Sequence, residues 1–269
     1  MSLLRVIGMF SYSRTLIVNG YSMKAAIISN RVTEDIKENQ KRILCLASKA
    51  SDDGAEFILF PEAAATGLVN SGDSKKDYEI AEAIPGPRNS EWSRFASEHS
   101  TYFGAGIMER DGDTIFDSAV LYNPEGKLIL HYRRVDPGWH SPDEDTSIYC
   151  EGSEIPVVES SIGRLAFLIC GDLWNDEVLR KLKAQHPRIL LYVFARDIEP
   201  KDKIETKWQY EFRSYQERWT KTDSRVLAVN LLGKHSGFEA IGGSWFVDIG
   251  GQVIASSPIL EESILFVNI

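Results

Sequence analysis

Cys170 closes the apolar run Arg164-Leu-Ala-Phe-Leu-Ile-Cys170 and is followed at once by Gly171 and Asp172, with Trp174 just beyond. A thiol therefore falls where a buried strand gives way to a small, polar turn. Thiols react as thiolates, and a strand end opening into a cleft can supply the base, cation or backbone N–H groups that favour the thiolate. Taken alone, the segment fits an inert core cysteine better, because free cysteine is among the most buried residue types. A second apolar run, Phe57-Ile-Leu-Phe-Pro61-Glu62, also reads as a strand. Pro61 cannot donate to a ladder and marks the strand's exit, which puts the Glu62 carboxylate on the rim as a candidate general base. On its own, Glu62 reads better as a solvated acid. The third segment, Leu128-Ile-Leu-His131-Tyr132-Arg133-Arg134-Val135-Asp136, runs a strand pattern into two adjacent cations whose default role is surface ion pairing.

In chain order these segments resemble the nitrilase, or carbon–nitrogen hydrolase, superfamily, whose members carry a Glu–Lys–Cys triad. The resemblance extends over nearly everything from Met23 onward: Met23-Lys-Ala-Ala-Ile-Ile is similar to the first strand, Phe60-Pro-Glu62 to the glutamate motif and Leu168-Ile-Cys170-Gly-Asp172 to the cysteine motif. Gly104-Ala-Gly-Ile-Met-Glu-Arg110, Asp117-Ser-Ala-Val-Leu-Tyr-Asn-Pro-Glu-Gly126, Val229-Asn230 and Gly242-Gly-Ser244 agree in order. Each motif alone is weak; the ordered set is specific.

This chain departs from the family pattern at four places. Arg134 stands at the lysine position, Asp117 where asparagine is frequent, Gly171 where an aromatic or acidic residue is common, and Asp136-Pro-Gly where the family has His-Leu. Arginine is a planar fork that stays charged at all working pH values, so Arg134 is suited to electrostatic stabilisation and not to proton transfer. The resemblance implies an α/β fold of the four-layer αββα sandwich type. It also implies Glu62, Arg134 and Cys170 as the catalytic set, with an oxyanion contact from the Gly171 N–H. A supporting carboxylate belongs in the loop holding Asp143 and Glu144, and Glu144 is assigned that role. Trp139, Trp174 and Arg196 lie near the motif-bearing segments and are expected to line the substrate pocket, although aromatic residues there are as often packing groups. His131, His140 and His235 show no metal-ligand pattern and read as surface or satisfied polar side chains. No metal and no cofactor are expected.

Composition narrows the function. A 269-residue chain with a formal net charge of −9 and no basic cluster argues against nucleic acid or an anionic membrane surface as the partner. The substrate class expected is a small amide or N-carbamoyl compound, cleaved at a non-peptide C–N bond. The competing reading is a binding or interaction protein in which Arg134 locks Glu62 in a salt bridge. Three cysteines, Cys45, Cys150 and Cys170, without metal-ligand spacing fit a reducing compartment, and hence the cytoplasm. Family members commonly pair, so a homo-oligomer, at simplest a dimer, is expected.

Residues 1–22 precede the family-like first strand and are read as an N-terminal extension to a hydrolase domain spanning 23–269. They arise from an extended start or serve as an edge strand or dimer arm. Leu16-Ile-Val18 is too short to cross a membrane and lacks a cleavage site. Thr33-Glu-Asp-Ile36 reads as a helix start, with Ile36, Gln40, Ile43, Leu44 and Ala47 on one face before Asp52-Asp-Gly54. A second helix opens at Gly86-Pro-Arg88 and carries Trp92, Phe95 and Ala96, and a strand resumes at Tyr102-Phe-Gly-Ala-Gly-Ile107. After Cys170 a helix over Glu177 to Lys183 and a buried strand over Ile189 to Phe194 continue the alternation expected of an α/β protein.

Overall fold

A computed structural model describes residues 22–68, 71–198, 204–235 and 238–269. The expected N-terminal extension lies outside the described residues except for Ser22. Strand β1 (Lys24–Ser29) is apolar on both faces. Ala25 and Ile27 enter the core between the sheets, whereas Ala26 and Ile28 face the helices, as the two-residue period of a strand requires. After β2 (Arg31–Val32), the Asp35 side chain accepts from the Glu38 N–H and starts α1 (Ile36–Asp52). This helix buries Gln40, Ile43, Leu46, Ala47 and Ala50; Leu46 and Ala50 take the inner stripe, leaving Ile36 and Leu44 at its margin. There follow β3 (Phe57–Leu59), α2 (Ser74–Ile80) and α3 (Pro87–His99), the last with proline in its first turn, where no N–H is needed.

A meander of β4 (Tyr102–Asp111), β5 (Thr114–Tyr122) and β6 (Leu128–Arg133) completes the first half. The second half runs through β7 (Val157–Ser160), β8 (Gly163–Ile169), a 3₁₀ turn (Cys170–Trp174), α4 (Asp176–Ala184) and β9 (Ile189–Phe194). Then come α5 (Ile204–Thr220), β10 (Arg225–Asn230), the hairpin β11 (Leu232–His235) and β12 (Phe238–Ile241), β13 (Ser244–Val247), β14 (Val253–Ser256) and β15 (Ser263–Asn268).

Two six-stranded sheets result, ordered β15-β1-β3-β4-β5-β6 and β14-β13-β10-β9-β8-β7, with a small third sheet of β12, β11 and β2. The large sheets pack face to face. Ser244 Oγ donates to the Ile27 carbonyl at 3.2 Å and Ser29 Oγ to the Asn230 carbonyl at 2.9 Å, which pins the β1 end against β10 and β13. Helices α1 and α3 cover the outer face of the first sheet through Ile43, Ala47, Trp92 and Phe95. Helices α4 and α5 cover the second through Leu179, Leu182, Trp208 and Trp219. The fold is the four-layer αββα sandwich. Helix α5 was not foreseen from sequence, yet its signal is present: Trp208, Phe212, Tyr215 and Trp219 recur at helical spacing.

Candidate functional site

β3, β6 and β8 end on the same rim, and each delivers one side chain. β3 runs parallel to β1 and β4, and its continuation Phe60-Pro61 turns the chain so that Glu62 is wholly buried, with Ala63 in a left-handed conformation just after it (φ 45°). The backbone passes close here: a side chain on Gly106 of β4 would overlap Pro61, Glu62 and Ala63. At the end of β8, Cys170 itself adopts φ 42°, a conformation uncommon for a non-glycine residue, which lifts the thiol out of the strand at the start of the 3₁₀ turn. Its carbonyl accepts from Tyr192 Oη at 2.9 Å.

Arg134 lies between them and is 97 % buried, unlike the surface cation that its position after Arg133 suggests. Its Nη1 donates to Glu62 Oε1 at 3.2 Å and to Asp117 Oδ2 at 3.3 Å, and its Nη2 donates to Asp136 Oδ1 at 3.4 Å. Arg133 does behave as an ion-pairing residue, bridging Glu109 and Asp111. Burial would discharge Arg134, but the charges of Cys170, Glu62 and Asp117 outweigh it and hold the guanidinium firmly protonated. Burial pushes Glu62 well above the usual carboxylate range, with the charges of Cys170 and Asp117 acting in the same direction against Arg134. Burial also raises Asp117, opposed by Arg134.

Asp172, two residues past the thiol, ties the rim together. Oδ1 accepts from the N–H groups of Val135 (3.0 Å) and Asp136 (2.8 Å), and Oδ2 from the Ile169 N–H (3.0 Å) and Tyr132 Oη (2.6 Å). One carboxylate thus fixes the end of β6, and with it Arg134, to the cysteine turn. Burial outweighs these donors and raises Asp172 to about 6. Asp117, Asp136 and Asp172 are the site residues that sequence reasoning left without a role. Their signal lay in the motif departures and in an acid placed two residues after the cysteine.

The thiol opens into two lobes of one cleft. One, of about 530 Å³, is walled by Trp174, Tyr210 and Tyr215; the other, of about 500 Å³, by Trp139, His140 and Glu144; Arg134, Gly138, Cys170 and Arg196 border both. All three expected pocket residues therefore reach the cleft, Trp174 as an exposed ring and Trp139 as a buried one stacked edge-on to Tyr149. Arg196 is held by both oxygens of Glu211 from α5, each at 2.9 Å. Glu144 lies 3.9 Å from His140, whose other ring nitrogen is 2.6 Å from Glu151. His131 is 2.8 Å from Glu109, as a satisfied polar group should be. The His235 side chain is outside what the structure describes. A larger hollow of about 710 Å³, bordered by Phe116, His131, Arg133 and Cys150, contains neither Glu62 nor Cys170. Among the described residues, no group of three His, Cys, Asp or Glu side chains is arranged to hold a metal, and no helix is long and apolar enough to cross a membrane.

Two sheets thus lie face to face between helices, with an acid, a cation and a thiol near one rim. The match to the carbon–nitrogen hydrolase family model over residues 24–269 shows that the chain belongs to that family. It is similar to formamidases of Bacillus thuringiensis and Bacillus cereus, each 28 % identical over 225 residues, a stretch that is 82 % of this chain and 64 % of theirs. The chain thus matches less than two thirds of the length of these curated relatives. Among solved structures it is similar to a carbon–nitrogen hydrolase from Helicobacter pylori G27 (TM-score 0.80, 18 % identity, 92 % of this chain and 89 % of that one). An amidase from Nesterenkonia sp. superposes with TM-score 0.77 and 21 % identity, over 96 % of this chain and 94 % of that one.

Proposed function

We propose that the chain is a cysteine-dependent hydrolase of non-peptide C–N bonds in small amide or N-carbamoyl substrates, working through a thioester. The observation that carries this reading is that Cys170 and Arg134 border both lobes of the cleft while Arg134 donates to the buried Glu62 at 3.2 Å. In the reaction, Glu62 accepts the thiol proton and Cys170 Sγ attacks the carbonyl carbon. Arg134 and the Gly171 N–H receive the developing oxyanion, and each such preorganised donor is worth on the order of 10²–10³ in rate. The C–N bond breaks as the leaving nitrogen takes a proton from Glu62, and water activated by the same carboxylate then releases the acid. Glu144 supports the acid–base group from the loop after β6, while Trp139, Trp174 and Arg196 contact the substrate. The similarity to proteins named formamidase and amidase supports an amide in preference to a nitrile. As parts of the same proposal, residues 23–269 form one hydrolase domain, the chain works as a homo-oligomer, and its unpaired cysteines suit the cytoplasm.

The 3.2 Å contact between Arg134 and Glu62 favours a second reading, a binding protein whose base is locked in an ion pair. Ammonia release from formamide, other small amides, N-carbamoyl amines and nitriles decides between the two. Turnover by wild type that disappears in Cys170→Ala and falls by about 10²-fold or more in Arg134→Ala supports the hydrolase. Turnover undiminished in Cys170→Ala rules out the thioester route, and inactivity of both wild type and Arg134→Lys over the whole panel supports the binding protein.

A further inference from the structure

We propose that Glu62 and Asp117 hold a single proton between them, so that Asp117 is a positioning residue for the general base. Both carboxyls are almost entirely buried, and both accept from the same nitrogen, Arg134 Nη1, at 3.2 and 3.3 Å. That contact uses Glu62 Oε1 and Asp117 Oδ2. The remaining oxygens, Glu62 Oε2 and Asp117 Oδ1, are buried and receive no N–H or O–H from any described residue. Two carboxylates could leave both oxygens orphaned beside a second unneutralised charge, at a cost of several kcal/mol. One proton shared across the pair satisfies both oxygens and leaves a single negative charge against the single buried guanidinium. Burial and the charge of Cys170 raise Glu62, and the charge of Asp117 acts in the same direction, against Arg134.

The titratable groups whose charge bears on this pair are Arg134 after β6, Cys170 at the end of β8, Tyr192 on β9 and Tyr215 on α5, while Asp136 and Asp172 act on Arg134. Arg134 is the cation among them; the others add negative charge or none, so the pair has reason to keep its proton. The catalytic consequence rests on the hydrolase reading. When the S–C bond forms, the thiol proton passes to the pair, which then holds two protons and no charge. When the C–N bond breaks, one of those protons leaves with the nitrogen. The site thus carries the same net charge before and after attack. In the asparagine-bearing pattern common in the family, the neighbour of Glu62 would be a neutral amide that cannot take up the proton, which makes Asp117 a distinguishing feature of this chain.

Infrared spectroscopy of carboxyl-labelled protein at about pH 8, where ordinary carboxyls are ionised, tests the pair directly. The expected result is a protonated-carboxyl band in wild type that shifts in frequency in Asp117→Asn and in Glu62→Gln, because each removes one of the two carboxyls that hold the proton. No band in wild type, or a band at unchanged frequency in either variant, overturns the proposal. The rate of Cys170 alkylation by iodoacetamide against pH provides a second readout. Asp117→Asn, confirmed as folded by its melting temperature, should move the acidic limb down by roughly one to three pH units, the range expected on removing a neighbouring like charge. An unmoved limb contradicts the proposal. If the band and the limb behave as expected but wild type releases no ammonia from any amide, the hydrolase reading fails while the proton-sharing pair stands.

Discussion

Gly171 lacks a side chain where Arg134 needs the space: a Cβ at Gly171 would overlap Arg134 Nη2 and Asp136 Oδ1. The departures from the family pattern are therefore in mutual contact. The larger guanidinium is accepted by Asp117 and Asp136 and accommodated by a bare glycine at the neighbouring turn. Read one at a time, these substitutions look like erosion of a site; together they rebuild its centre around a fork that binds several carboxylates at once.

Gly171→Ala should accordingly displace Arg134 from Glu62. Inserting a methyl group into a packed region costs about 1–3 kcal/mol, while loss of one aligned oxyanion donor lowers turnover by about 10²-fold. Amide turnover and thermal melting of the purified variant measure the two effects. Activity within twofold of wild type would show that the glycine is not needed for Arg134's placement.

Cys170 should be alkylated first among the thiols. It borders both lobes of the cleft together with Arg134, whereas burial and the charge of Glu151 raise the Cys150 thiol, which donates to the Thr146 carbonyl. Cys45 is more exposed but lies on the outer side of α1, with no such neighbours described. Iodoacetamide mapping of the native protein checks the order, and modification of Cys45 and Cys150 ahead of Cys170 would refute the nucleophile assignment.

Much of the fold was legible because the strands are short, doubly buried and apolar on both faces: β1, β8 and β9 announce themselves as runs such as Ile189 to Phe194. The sequence also marked the rim residues, since Pro61 and Gly171 punctuate the strand exits. It could not show that Arg134 would be buried, because burial depends on three acids from β5, the β3 exit and the β6 exit arriving at one point. Helix α5 was missed for a different reason. Its aromatic stripe is interrupted by charged residues such as Glu211 and Arg218, which look like solvent face until Glu211 is seen clamping Arg196.

Glu109 makes the acid side of the stability profile predictable. Burial acts to raise this carboxyl, but hydrogen bonds from His131 and Arg133, then the charge of His131 and the Ser118 hydroxyl, bring it down from 4.5 to about 2. A group whose folded pKa is depressed stabilises the native state above its unfolded value, and that stability disappears as pH falls through the folded one. The melting-temperature gap between wild type and Glu109→Gln should therefore be full above about pH 5 and close as pH falls from 4.5 towards 2. A gap that stays constant over that range would mean the carboxylate is not the stabilising form.

Asp172 provides the sharpest separation of positioning from chemistry, because it touches neither Glu62 nor the thiol by any hydrogen bond described and yet holds the segments that bear Arg134 and Cys170. Each of its oxygens receives two donors. An asparagine offers a single carbonyl oxygen, so in either orientation its NH₂ points at donors. Turned toward Tyr132, whose hydroxyl can reverse, it still orphans the Ile169 N–H; turned the other way, it orphans both the Val135 and the Asp136 N–H. A buried N–H left without an acceptor costs about 1–3 kcal/mol, which is a visible but survivable loss of melting temperature. Misplacement of the reacting groups by about 1 Å can cost 10²-fold in rate, so Asp172→Asn should lose far more in turnover, and in Cys170 alkylation rate, than its stability alone accounts for. Both are measurable at a temperature where the variant is fully folded. Turnover and alkylation retained at wild-type levels under those conditions would show that the β6 end finds its place without the clasp.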